Sequence, residues 1–324
     1  MFHRGPVPPQ LFNASDLLLV LGIDAAQLSR LCGPGSGTTK SVSSAVGLLF
    51  NSRRVGTPWQ VKNTPSNAGL QIQSRTAFIF SRIAVTMLAY LFIDIMTSLP
   101  PPDLVMVRAD KGALFPANGL RIEDIIFRVA ATISYWVTTG IVLLAMNNVG
   151  AIIAVLTGLS RPGDCPPPLG PFTEGYTVRR FWGISWHQML RSFLTGHADL
   201  IINKTLPFLP RHSAADRYIR LTLAFLISGL IHRRGDQAQG VPDAENGALA
   251  FFLSHAAIIM LEDCVGHVLA ALLPRRICYV MGYLWVLAFF AWTSPTYMYP
   301  GMRLGFDGTA LLPIRVIGPY LSRS

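Results

Sequence analysis

Apolar residues run along this chain in long blocks rather than in alternation with polar ones. Five blocks approach the roughly 20 mainly apolar residues that a helix needs to cross a bilayer. The first, Phe78–Leu99, is broken only by Arg82 near one end and Asp94 near the other. The second starts near Ile125 and stays apolar to about Leu159. That is too long for one span, so it predicts a helix to about Met146 and a shorter apolar segment over Val149–Leu159. Tyr218–Ile231 is short but sits inside a longer helix-compatible region. Ala248–Leu273 carries Glu262, Asp263 and His267 in its second half, and Cys278–Trp292 is closed by Pro295. The pattern predicts an all-α, polytopic transmembrane helix bundle of about five to seven spans. No internal repeat and no heptad pattern is visible.

Composition agrees. Charged residues make up 14% of the 324 residues, and the mean hydropathy is +0.42. A soluble domain carries about 25% charged residues, so this chain has too little polar side chain for a wholly water-facing surface. Disorder, a secreted disulfide scaffold and a typical cytosolic enzyme are excluded on that ground. The net charge of +10 is scattered between apolar runs, which suits anionic lipid headgroups and argues against nucleic acid. Cys32, Cys165, Cys264 and Cys278 form no CxxC pair, so no zinc knuckle or disulfide framework is expected and no metal is implied.

Residues 1–13 hold three prolines and lack the order of a signal peptide. The Asp16–Ile23 run is too short to span, and Gly33–Ser44 reads as a flexible surface segment. Seven Lys or Arg precede the first apolar block, three follow it, and eight occupy residues 160–220. The positive-inside rule therefore places the N-terminal segment and the 160–220 loop in the cytosol. The expected organisation is a cytosolic or interfacial segment over 1–75, a helical bundle over 76–305 with 160–217 as an interfacial loop, and a tail over 306–324.

The most unusual chemistry lies in that loop. Arg179-Arg180-Phe181-Trp182-Gly183-Ile184-Ser185-Trp186-His187-Gln188 sets two Trp and a Phe beside two Arg. One reading is an amphipathic stretch on the bilayer surface, with Trp at headgroup level and Arg snorkelling to phosphate. His187 is then merely polar-facing. His232 ends the apolar run Phe225–Ile231. It reads either as a helix-terminal His on the negative end of the dipole or as an ionisable group facing a cavity. Neutral imidazole is the natural general base near pH 7. Arg233 and Arg234 mark an interface or hold an anionic phosphate. Adjacent on a helix, Glu262 and Asp263 point about 100° apart, so they are not a facing catalytic pair; pairing with Arg or His of neighbouring helices is expected. His3, His197, His212, His255 and His267 share no ligand or catalytic spacing, and neither a phosphate loop nor a GxSxG elbow is present.

Phe181-Trp182-x-x-x-Trp186-His187, followed about 45 residues later by Ser228-Gly229-Leu230-Ile231-His232, resembles the membrane-bound O-acyltransferases. The wax synthase-like branch, and within it the fungal secondary-metabolite (meroterpenoid) O-acetyltransferases, is similar in three further segments. These are Gly56–Asn63, Leu261-Glu262-Asp263, and Gly282–Trp285 continuing through Trp292–Pro295 to Tyr299-Pro300. The resemblance covers roughly residues 50–305. Such proteins usually begin with additional transmembrane helices, whereas this chain opens polar and Pro-rich, so a short member is expected. The double Arg after His232 also departs from the family's pattern.

The resemblance implies acyl transfer from acetyl-CoA, a co-substrate rather than a bound cofactor, to a hydroxyl of a terpenoid or meroterpenoid. The apolar alcohol and the lipid bilayer are then the partners, in a multi-pass protein of the endoplasmic reticulum. It implies His232 as the base, with no acyl-enzyme, and His187, at a position held by Asn in many relatives, as a hydrogen-bond donor to the thioester or the CoA arm. Trp182 and Trp186, with Arg179, Arg180, Arg233 and Arg234, would lie on the CoA side. Three rival readings remain: a long-chain acyl-CoA:alcohol (wax ester or sterol) acyltransferase, a transporter lined by Asp94, Glu262, Asp263 and His267, and an inactive shortened relative.

Overall fold

A long apolar run in lipid can satisfy its own N–H and C=O groups only by coiling into a helix. A computed structural model of the protein describes residues 51–57, 60–65, 74–305 and 312–321, and among them every regular element is helical. In chain order these are α1 (Arg75–Ser98), α2 (Ala109–Gly112), α3 (Ile122–Leu156), α4 (Val178–Arg180), α5 (Arg191–Thr205), α6 (Ala214–Ala238), α7 (Ala248–Leu272), α8 (Arg275–Arg303) and α9 (Gly318–Leu321). Short 3-10 turns and one π-helical turn, Phe181–Ser185, join them. The Asp16–Ile23 and Gly33–Ser44 segments, Pro58 and Trp59, and the side chain of His267 lie outside the described residues.

Among the described residues, four stretches are long and apolar enough to cross a bilayer: Arg75–Ser98, Ile122–Leu156, Asp243–Gly266 and Arg275–Arg303. The polytopic helical class is the one that the hydrophobic pattern predicts, with four such stretches among the described residues where the pattern suggests about five to seven. The apolar centre of α6 is flanked on the same helix by Asp216, Arg217 and Arg220 before it and by Arg233, Arg234 and Asp236 after it.

Two boundaries differ from the sequence expectation. α3 is one helix of 35 residues, about 52 Å long, rather than two segments parted at Asn147-Asn148. Asn148 is buried and accepts a hydrogen bond from Arg82 Nη1 at 2.9 Å, so a neighbouring helix satisfies it and the coil continues. α8 likewise runs past Pro295 and Pro300 to Arg303. A proline inside a helix removes one N–H, and membrane helices tolerate this where neighbours meet the freed carbonyls. The carbonyl that Pro295 leaves without its usual donor is that of Ala291; the next one, Trp292 O, accepts from Arg128 Nη1 at 3.2 Å.

The chain divides into two compact units, Met1–Thr64 with Gln188–Ile227 and Pro65–His187 with Ser228–Ser324. In the first, Arg220 is held by Asp216 and Asp199, and Ser192 Oγ donates to Ser52 O at 3.0 Å. The second contains the four spans. Large apolar side chains such as Phe80, Leu88, Ile126 and Leu284 are exposed, while Arg82, Asp94, Arg128, Thr132 and Ser294 are buried beside apolar residues such as Phe78, Phe251 and Tyr299. That arrangement costs little only where the surroundings are hydrocarbon. Arg75 donates to Val155 O and, at 2.7 Å, to Leu156 O, which places a cation on the negative end of α3. Asp94, wholly buried, accepts from the N–H groups of Val316 and Ile317 at 2.8 and 2.6 Å and of Gly318 at 3.4 Å, tying α9 to α1.

Candidate active site

All the candidate residues lie in the second unit. The aromatic segment is built first by local chemistry. Thr177 Oγ1 accepts from Arg180 N at 3.0 Å and starts α4. The π turn closes with Trp186 N donating to Phe181 O at 2.7 Å. Such i→i+5 turns often mark functional sites because they re-aim side chains within a helix. Ser185, fully buried, donates to Pro171 O at 2.9 Å and fixes the end of the turn.

Two carboxylates on α7 then dock the segment. Glu262 accepts from the backbone N–H of Val178 at 2.7 Å and of Arg179 at 3.0 Å, and from Trp285 Nε1 at 3.0 Å. Asp263 takes the Arg179 guanidinium in two bonds, at 2.9 and 2.6 Å. Bidentate pairs of this kind add geometric specificity as well as energy. On α8, Tyr283 Oη donates to Thr173 O at 2.5 Å. The Leu261-Glu262-Asp263 and Gly282–Trp285 segments therefore share one task, holding the Trp182–His187 stretch in place. The expected pairing with a neighbouring Arg is what the structure holds at Asp263, whereas Glu262 is met by backbone N–H groups and Trp285 instead. Arg180 is bound by Glu174 and lies over the Tyr176 ring.

Aromatic packing carries the site inward. Trp136 of α3 meets Phe181, Trp182, Trp186, Phe251 and Phe290 with ring centroids 4.9–6.1 Å apart. Its Nε1 donates to Ser294 Oγ at 2.9 Å. Each such ring pair contributes about 0.5–1.5 kcal/mol beyond area burial. His187 follows the turn, its ring 5.6 Å from that of Trp186.

His232 enters from α6. That helix continues to Ala238, so the His is internal to it and not at its end. Polar residues such as Arg233, Arg234 and Asp236 do not stop a helix; they only end its apolar run. Gly229, one turn earlier, is needed here, because a Cβ would stand 3.1 Å from Leu249 Cδ2 and 3.3 Å from Phe252 Cβ. The close approach sets the His232 ring flat on Phe252, at 4.7 Å and 10°. Its Nδ1 lies 3.2 Å from Tyr297 Oη. Burial holds the imidazole below its ordinary pKa of 6.5, hence neutral at pH 7. Gly247 serves the same corner: a Cβ there would meet Thr296 O at 1.9 Å, so only glycine lets the start of α7 touch α8 beside Tyr297. His187 and His232 are thus joined through one aromatic cluster, by way of Trp186, Trp136, Phe251 and Tyr297.

The two arginines after His232 point elsewhere. Arg233 pairs with Asp243 at 3.1 Å, and exposed Arg234 donates to Gln237 Oε1 at 2.9 Å. Asp236, one turn beyond His232, accepts from Asn246 Nδ2 at 3.3 Å. Burial pushes its carboxyl up to about 6, partly offset by that bond. Gly235-Asp236 resembles the family's pattern after the His, whereas Tyr297, Tyr135 and Trp136 were not singled out from sequence. The i,i+4 spacing of Asp236 from His232 was a further local signal.

A half-buried imidazole stacked on Phe252 and facing Tyr297 is an arrangement that acid–base chemistry can use. The sequence profile of the "Membrane bound O-acyl transferase family" matches residues 165–254, which include both His187 and His232. Acetyltransferase pyr8 of Aspergillus fumigatus is 30% identical over 327 residues, covering 94% of this chain and 75% of pyr8. Acetyltransferase ataH of Aspergillus terreus is 30% identical over 301 residues, covering 88% of this chain and 97% of ataH. Acetyltransferase atnC of Arthrinium sp is 32% identical over 283 residues, covering 83% of this chain and 65% of atnC. No solved structure matches. The chain belongs to the membrane-bound O-acyl transferase family: it is an integral membrane acyltransferase.

Proposed function

We propose that the protein transfers an acetyl group from acetyl-CoA to a hydroxyl of an apolar terpenoid or meroterpenoid alcohol, in the endoplasmic reticulum membrane, with His232 as the general base. The observation that carries this reading is His232 itself, held neutral and half-buried within a cluster of rings and facing Tyr297. A hydroxyl is a poor nucleophile at neutral pH, so a positioned base must take its proton as it attacks. The alcohol oxygen bonds to the thioester carbonyl carbon while its proton passes to His232. As the tetrahedral intermediate collapses, the C–S bond breaks and the sulfur takes that proton. The products are an acetate ester and CoA thiol, with His232 neutral again. His187 donates a hydrogen bond to the developing oxyanion.

The acetyl donor is supported by the names of pyr8, ataH and atnC, all acetyltransferases. Exposed Arg234 is the candidate for a CoA phosphate contact in this reading, while Arg233 is engaged by Asp243. Arg179 and Arg180 act on the CoA side indirectly, by holding the aromatic segment. A transporter reading loses its lining: Asp94, Glu262 and Asp263 are each occupied by donors within the fold.

The test incubates membranes carrying wild type or His232→Ala with radiolabelled acetyl-CoA and a pool of terpenoid alcohols. Label in an organic-soluble ester is expected with wild type only. Normal turnover by the variant would remove His232 as the base, and label from a long-chain acyl-CoA alone would replace the acetyl donor.

A further inference from the structure

An imidazole has two ring nitrogens, and only the one without a hydrogen can take a proton from the alcohol. In His232, Nδ1 faces Tyr297 Oη at 3.2 Å. Nε2 is therefore the nitrogen left to meet the substrate. For Nε2 to carry the lone pair, the ring hydrogen must sit on Nδ1, and the phenol oxygen must accept it. The opposite arrangement, a phenol O–H donating to Nδ1, would put the hydrogen on Nε2 and leave no base. What decides between them is where the phenol's own O–H is drawn.

Tyr297 is held by rings that fix its hydroxyl in place. It stacks on Phe251 at 5.3 Å and 24°, and meets Phe252 at 6.0 Å. Its ring lies edge-on to Tyr135 at 6.1 Å and 90°. The Asp236 carboxyl, one helical turn from His232, lies within electrostatic reach of both phenol groups. A carboxylate there draws phenol O–H dipoles toward itself and turns the phenol lone pairs toward Nδ1–H. We propose that Tyr297 is a positioning residue that fixes His232 in the Nδ1–H tautomer, with Tyr135 and Asp236 orienting the phenol.

This rests on the reading of His232 as the base. In the forward step Nδ1 keeps its hydrogen. Nε2 gains the alcohol proton and passes it to the departing sulfur, so the tyrosines neither gain nor lose a proton. The phenol oxygen and the carboxylate offset the positive charge on the ring while it lasts.

The test compares Tyr297→Phe, Tyr297→Gln and His232→Ala in the full-length protein, with rates normalised to folded protein. Phenylalanine keeps the ring packing but accepts nothing; the glutamine carbonyl oxygen can still accept from Nδ1–H. General bases contribute about 10²–10⁴-fold, and losing the tautomer preference should cost about tenfold or more of that in kcat. KM for acetyl-CoA and for the alcohol should stay within about twofold, because Tyr297 touches neither substrate in this scheme. Tyr297→Gln should keep more activity than Tyr297→Phe, and Tyr297→Phe should add no loss in a His232→Ala background. Wild-type kcat in Tyr297→Phe beside an inactive His232→Ala would overturn the tautomer role and leave the base in place. Normal turnover by His232→Ala would overturn both. If Tyr297→Phe does not accumulate, Tyr135→Phe carries the test: a lower kcat at unchanged KM supports the array, and unchanged kcat overturns it.

Discussion

Asp94 and His232 are both ionisable groups set among apolar helices, yet their surroundings are opposite. One Asp94 oxygen accepts from three consecutive backbone N–H groups, and the Arg315 guanidinium stands 3.6 Å from the other. His232 faces one phenol and a Phe face. Burying a charge is costly unless partners satisfy it, so the multiply bonded carboxylate reads as a fastening. Glu262 follows the Asp94 pattern, with three donors of its own. An imidazole with so few ties leaves a ring nitrogen for the proton transfer that we propose. The number of partners around a buried polar group is what distinguishes a fastening from the chemistry we propose.

That contrast can be broken by substitution. The largest effect is expected at Asp94→Ala, which strands the N–H groups of Val316, Ile317 and Gly318. Breaking a buried ionic contact costs about 3–5 kcal/mol, so the variant should show a sharply lower melting temperature or fail to accumulate. His187 comes next. His187→Ala should lower the transfer rate severely at an unchanged melting temperature, whereas His187→Asn should retain part of it through an amide donor. Equal losses in the two would remove the hydrogen-bonding role.

The smallest effect concerns Asp236 and sharpens the picture through pH. Its carboxyl is raised from 3.8 to about 6 in the folded protein, by burial. The folded state therefore binds this proton more tightly than the unfolded chain does. Stability falls as pH rises through that window, and the penalty is complete above it. Asp236→Asn should raise the melting temperature at pH 7.5, with the gain fading toward about pH 4. A gain independent of pH would mean that the carboxyl is not the cause.

Much of this was legible in the chain. Arg82 and Asp94 stood out as interruptions of an apolar run, and Glu262 and Asp263 as carboxylates in need of partners. Partner identity was not legible, because Arg179 and Asp263 are 84 positions apart and no local pattern links them. The same holds for Tyr297 and His232, 65 positions apart. Asn147-Asn148 and Pro295 looked like helix ends because propensity sees only neighbours. At Asn148 a side chain from another helix, Arg82, settled the matter instead. Gly229 read as part of a motif, and the contact with Phe252 that requires it appears only in three dimensions.

The most direct measurement sets two quantities side by side for His232→Ala and wild type in the same membranes: the acetyl-transfer rate per folded molecule and the melting temperature. The account predicts a rate lower by about 10²–10⁴-fold with the melting temperature unchanged within about 2 °C. A variant that transfers acetyl normally, or one that loses activity only because it unfolds as Asp94→Ala should, would contradict it.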